Sequence, residues 1–153
     1  MKEKKKVSLF EKYLTMEIGI EFKSCLYFFG FLFFYCVHRL IFKENNAVIL
    51  HMAEMILTCY AVAYLQVYAF GNCDEADKLG VREILGFIVC TIIYCLVSFF
   101  GNWFEKSIIS TLIFAAYILF MYLCVFLIYR IKRKIDDKIL NEDLKQFQKE
   151  HKK

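Results

Sequence analysis

Two stretches decide the fold: residues 84–100, ILGFIVCTIIYCLVSFF, and residues 108–129, IISTLIFAAYILFMYLCVFLIY. Neither contains a charged residue or a proline, and neither shows a wide polar face. A helix of a soluble bundle keeps such a face toward water. An apolar stretch of about 20 residues instead matches the hydrocarbon core of a bilayer. A helix is the form that satisfies its own backbone there. Two further runs, 24–42 (SCLYFFGFLFFYCVHRLIF) and 47–70, have comparable length. The expected fold is all-α. It is a polytopic membrane protein, an antiparallel four-transmembrane-helix bundle forming a single integral membrane domain over residues 1–153. The expected tails are 1–23 and 130–153.

The composition agrees with lipid as the solvent. Of 153 residues 59% are hydrophobic and 18% aromatic, with 17 Phe, 10 Tyr and no Pro. Soluble domains are usually about 45–50% apolar. Charged residues still make up 24% of the chain, so the charges must be sorted away from the apolar runs. A disordered tail and a small disulfide scaffold are both excluded by this composition.

The sorting sets an orientation. Residues 1–23 carry six Lys, the connection 71–83 carries Lys78 and Arg82, and the tail from Arg130 carries nine Lys or Arg. With four passes, these segments share one side and hold 17 of the 20 basic residues. Positive loops face the cytoplasm, so both termini are expected there. The opposite side holds Arg39, Lys43 and Lys106. The first run is too long and too aromatic for a cleavable signal peptide, and no small-residue cleavage site follows it.

The seven cysteines form no Cys-x-x-Cys pair. Cys25, Cys36, Cys59, Cys90, Cys95 and Cys124 lie in apolar runs and read as packing residues. Cys73 beside Asp74 and Glu75 has its thiolate disfavoured by like charge. His38, His51 and His151 fit no metal-binding spacing. No phosphate loop or nucleophile–base motif is legible. No enzyme, cofactor or metal is expected.

Four charged or imidazole side chains sit inside the apolar runs. His38 and Arg39 close the first, and His51 and Glu54 open the second. A charge within the membrane costs at least a few kcal/mol unless it is paired. Two readings stay open. In one, Arg39 and Glu54 form an ion pair that locks the first hairpin. In the other, the cluster senses protons or binds an outer ligand. Small and polar residues also form helical stripes: His51, Glu54, Thr58 and Ala61; Thr91, Cys95, Ser98 and Asn102; Ser107, Thr111 and Ala115. They are expected to line the bundle interior, where small side chains permit close approach and hydroxyls bond across helices. Trp103 and Tyr129, at run ends, fit anchoring at the headgroups.

The charged tails carry their own pattern. The segment VSLFEKYLTMEIGIEF before the first run reads as a short interfacial helix. The C-terminal RIKRKIDDKILNEDLKQFQKEHKK has no Gly or Pro and is expected to continue the fourth helix. Arg130, Lys132, Arg133 and Lys134 suit an anionic bilayer surface, at about 1 kcal/mol each. Ile131, Ile135 and Ile139 form one apolar stripe; Leu140, Leu144 and Phe147 form another. Apolar anchors this far from the membrane suit a protein partner. Direct nucleic-acid binding is disfavoured by Asp136, Asp137, Glu142 and Asp143.

This layout, with a basic tail followed by Ile139, Leu140, Asn141, Glu142, Asp143 and Leu144, resembles the small four-pass membrane proteins of bacterial LytTR regulatory systems. The resemblance covers most of the chain through short motifs. It implies an inhibitor in the bacterial cytoplasmic membrane that sequesters a LytTR-type DNA-binding transcription regulator, with Leu140, Asn141, Leu144 and Phe147 as partner-binding residues. A homo-oligomer is compatible with it. The alternative is a small transporter, or the membrane subunit of an exporter, built on the Glu54, Arg39 and His cluster.

Overall fold

The computed structural model describes residues 9–43, 46–73, 76 and 79–150. His151, Asp74, Glu75 and Lys78, singled out in the sequence, lie outside these. The described residues contain four helices and no strand: α1 (Leu9–Ile41), α2 (Ile49–Phe70), α3 (Val81–Phe100) and α4 (Ile108–Glu150). All four are long and apolar enough to span a membrane.

Short connections at 42–48 and 101–107 make the chain run up and down. The molecule therefore has a hairpin end, with these two connections, and a tail end, with the start of α1, the end of α4 and the α2–α3 connection. At about 1.5 Å per residue, the 22 residues of α2 and the 20 of α3 span about 33 and 30 Å. These lengths match a bilayer core of about 30 Å. The 33 residues of α1 and 43 of α4 exceed it, by about 20 and 35 Å. The segment before residue 24 is thus no separate interfacial helix from Leu9 onward. It is the first part of α1, because nothing in it breaks the i→i−4 ladder.

The bundle axis is filled by rings. Tyr27, Phe31 and Tyr35 from α1, Tyr94 from α3, Trp103 and Phe104 from the second hairpin, and Phe114 and Tyr122 from α4 are all nearly or fully buried. Phe31 meets Tyr94 and Phe114 edge-on, with ring centroids 4.6 and 5.2 Å apart. Tyr27 meets Tyr122 at 5.1 Å. Such offset and edge geometries are what ring quadrupoles favour. α2 contributes smaller residues to the same core, Met55, Cys59 and Val62. Gly30 lets α4 approach α1: a Cβ there would lie 2.6 Å from Met121 Cε, and Tyr117 donates its hydroxyl to the Gly30 carbonyl at 3.0 Å.

The interior is therefore aromatic, not the small-residue surface expected. His51, Glu54 and Thr58 are half-buried, and Ala61 is exposed. Thr91 and Ser98 are buried, Cys95 is half-buried and Asn102 is exposed; Ser107, Thr111 and Ala115 are half-buried. Four hydroxyls of these stripes also stay on their own helices. Thr58, Thr91, Ser98 and Thr111 each donate to a carbonyl three or four residues back. That internal bond satisfies a hydroxyl in lipid without a neighbour.

At the tail end three cations from three helices hold the α2–α3 connection. Lys23 of α1, 3% exposed, donates to Asn72 Oδ1 at 2.9 Å. Arg82 of α3 donates to the Ala69 carbonyl at 3.0 Å, and Arg133 of α4 to the Ala76 carbonyl at 2.6 Å. Gly71 ends α2 in the left-handed region, with φ 63°, where glycine carries no Cβ penalty.

Phe31 contacts rings from α3 and α4 at once. Truncation to alanine leaves a cavity that lipid cannot fill, at a cost of about 3–5 kcal/mol. Reversible unfolding of Phe31→Ala in mixed micelles should show that loss; an unchanged unfolding midpoint would mean that the rings do not pack as described.

Candidate functional site

The polar residues of the hairpin end are positioned by the second connection. After α3 the chain turns inward through Gly101, Asn102, Trp103, Phe104, Glu105 and Lys106. Asn102, Glu105 and Lys106 adopt left-handed φ values of 58°, 53° and 54°. Each costs on the order of 1 kcal/mol for a residue with a Cβ. The gain is burial of Trp103 and Phe104, 0% and 1% exposed, in the mouth of the bundle. Trp103 is accordingly no headgroup anchor. Tyr129 is half-buried and packs against the core.

The buried indole needs an acceptor, and Glu54 supplies it. Trp103 Nε1 donates to Glu54 Oε2 at 2.8 Å. Gly101 makes room for this bond. A Cβ there would lie 2.7 Å from Glu54 Oε2, 2.8 Å from Trp103 Nε1 and 2.9 Å from the Val97 carbonyl oxygen. Gly101 has φ −71°, so space, not backbone conformation, demands glycine.

The expected Arg39–Glu54 ion pair is not made. Arg39 instead reaches the rim, where Nη2 and Nε donate to the Asn46 carbonyl at 3.0 and 3.3 Å, and Nη1 lies 3.5 Å from Glu105 Oε1. The folded-in connection explains this. It places Trp103 against Glu54 and carries Glu105 up to Arg39. The Arg39–Glu105 pair, with Glu105 58% exposed, is of the weak surface type, roughly 0–1 kcal/mol.

The two histidines bridge other elements. The Tyr35 hydroxyl receives the Val48 N–H at 3.3 Å and lies 3.1 Å from His51 Nδ1. His38 Nε2 lies 2.9 Å from Ser110 Oγ and its ring packs on Phe42 and Phe104. An imidazole beside a serine is also the geometry of a base and its nucleophile, a pair that no sequence motif announced. Here Ser110 is 5% exposed, and the contact ties α1 to α4.

His38, Arg39, His51 and Glu54 thus occupy one end of the bundle, as their positions imply, but they do not form one network. Each is paired separately with a group missed in the sequence: Ser110, Asn46 with Glu105, Tyr35, and Trp103. The signal for Trp103 was present, since a lone indole N–H in an apolar chain needs an acceptor.

At the tail end, α4 runs on as helix to Glu150. Arg130, Lys132 and Lys134 are exposed on it, while Arg133 is half-buried against the α2–α3 connection. Leu140, Asn141, Leu144 and Phe147 are all exposed. Among the described residues no group of three or more His, Cys, Asp or Glu could hold a metal ion. The seven cysteines are unbridged, with Cys25 and Cys36 facing outward and Cys59, Cys73 and Cys90 buried.

Comparison of the chain with protein-family models, with curated proteins and with solved structures found no match in any of the three.

Replacing Trp103 by Phe keeps the ring but removes the donor. It should destabilise the protein by about 1–3 kcal/mol, the cost of leaving a buried acceptor unsatisfied. Gly101→Ala should cost at least as much, because the Val97 carbonyl cannot move aside. The two substitutions should be less than additive when combined, since both break one contact. Thermal unfolding in detergent of the single and double variants checks this; full additivity would show that they act separately.

Proposed function

We propose that the protein is a membrane-bound regulatory protein of the bacterial cytoplasmic membrane, with both termini in the cytoplasm, that sequesters and inhibits a LytTR-type DNA-binding transcription regulator. One observation carries the reading. The first 22 residues of α4 equal α2 in length, and the helix then continues from Arg130 to Glu150, about 31 Å further. This extension presents Leu140, Leu144 and Phe147 at 66%, 54% and 59% exposure. Three large apolar side chains beyond a bilayer's reach suit a groove on a protein, since an exposed helix with spaced apolar anchors is a common docking element. The basic residues nearer the bundle, Arg130, Lys132 and Lys134, favour an anionic leaflet and support the tail end as the cytoplasmic one.

Inhibition by sequestration asks for a bilayer anchor and a rigid binding arm. Arg133 supplies rigidity by fixing the root of the arm to the Ala76 carbonyl. The identity of the regulator rests on the resemblance read from the sequence. A transport function fits less well, because the axis that a substrate would follow is occupied by Tyr27, Phe31, Tyr94, Phe114 and Tyr122.

Leu140→Asp combined with Leu144→Asp changes only exposed positions and should leave folding intact. In cells it should abolish co-purification of the DNA-binding regulator and raise transcription from its promoters at least tenfold. Retention of the regulator, with promoters still silent, would show that the arm is not the binding element.

A further inference from the structure

Glu54 poses a chemical problem that the bundle itself does not solve. Its Oε2 takes the indole N–H of Trp103. Its Oε1 accepts no hydrogen bond from the described residues. The cation best placed in sequence to neutralise it, Arg39, is engaged with Asn46 and Glu105. Oε1 therefore carries an uncompensated anionic site several ångströms inside the apolar span, where a bare charge is costly.

The surroundings define what could compensate it. Glu54 lies in the wall of a groove of about 520 Å³ between α2 and α3, open on the side of the bundle. Leu57 and Phe100 are 70% and 78% exposed on it, so the groove is shallow. Leu57, Leu96, Val97 and Phe100 form the rest of the wall. Thr58, also at the groove, has its hydroxyl committed to the Glu54 carbonyl. The groove thus offers one negative charge at a fixed point and an apolar surface beside it. Trp103 fixes that point through its bond to Oε2, in the space that Gly101 leaves free.

We propose that this groove binds an amphiphilic monocation, an alkylammonium or lipophilic amine, with its ammonium on Glu54 Oε1 and its apolar body along Leu57, Leu96, Val97 and Phe100. An anion is repelled by the carboxylate, and a neutral alcohol leaves the charge in place. The occupant is a free amphiphile and not the ethanolamine headgroup of a bilayer lipid. A headgroup would bring its phosphate to within a few bonds of the ammonium, and the groove wall has no cationic or donor group to receive it. The proposal does not depend on what the α4 extension binds.

Trp103 is the only tryptophan of the chain, so its fluorescence reports on the site directly. The protein is placed in nanodiscs of phosphatidylcholine and titrated with decylamine, with decanol as the neutral control. Wild type should show a saturable change in Trp103 emission and a saturable rise in unfolding temperature with decylamine, and neither with decanol. Glu54→Gln keeps an acceptor for the indole but removes the charge, and should weaken decylamine binding at least tenfold. Leu57→Phe narrows the groove from an exposed position and should also weaken binding while leaving Glu54 and Trp103 untouched. The proposal is overturned by equal titrations of wild type and Glu54→Gln, by an equal response to decanol, or by no saturable response of wild type. It is overturned as well if a change appears only in discs containing phosphatidylethanolamine. If Glu54→Gln does not fold, an unweakened response of Leu57→Phe overturns it alone.

Discussion

The hydrogen bond between the Trp103 indole and the Glu54 carboxylate decides the form of the hairpin end. It joins α2 to the α3–α4 connection and accounts for three features at once. It gives a buried indole its acceptor. It compensates part of a carboxylate set inside the apolar span. It holds a connection with three left-handed residues folded into the bundle mouth. Gly101 permits it by leaving the space that a Cβ would take. Once Trp103 and Phe104 are inside, His38 and Phe114 have their packing surfaces, and Glu105 is carried to Arg39.

A second constraint, the thickness of the bilayer, divides the molecule along its length. α2 and α3 match the apolar core, while α1 and α4 overshoot it at one end. The two ends are consequently different in kind. The hairpin end is short, closed by rings and tied by separate hydrogen bonds. The tail end is long and charged, and its helix α4 is rooted to the α2–α3 connection through Arg133. The length of α4 beyond the apolar span is the observation on which the proposed regulatory reading rests.

The four spans were legible because lipid demands a single simple pattern, an uninterrupted apolar run of fixed length. The helicity of the tail past Arg130 was legible too, since nothing between there and Glu150 breaks a helix. Which face of each helix turns inward was not legible. In water, polarity separates inside from outside. In lipid both are apolar, so Phe31 at the centre and Phe33 at the periphery look alike in sequence. The polar stripes misled for a related reason. Thr58, Thr91, Ser98 and Thr111 satisfy themselves on their own helices and impose no orientation.

The candidate site was legible as a set of residues and not as a set of pairs. His38, Arg39, His51 and Glu54 were found because charge and imidazole are rare in a span. Their partners were missed because each comes from a connection or from another helix: Trp103 and Glu105 from one turn, Ser110 from α4 and Tyr35 from α1. Only the inward fold of residues 101–106 brings the first two into reach, and local pattern gives no sign of that fold. The most direct measurement is quenching of Trp103 fluorescence in lipid nanodiscs by aqueous acrylamide. A Trp103 enclosed in the bundle mouth and bonded to Glu54 emits at short wavelength and is protected from the quencher. Emission of a hydrated indole, quenched as freely as a tryptophan at the headgroups, would contradict the account.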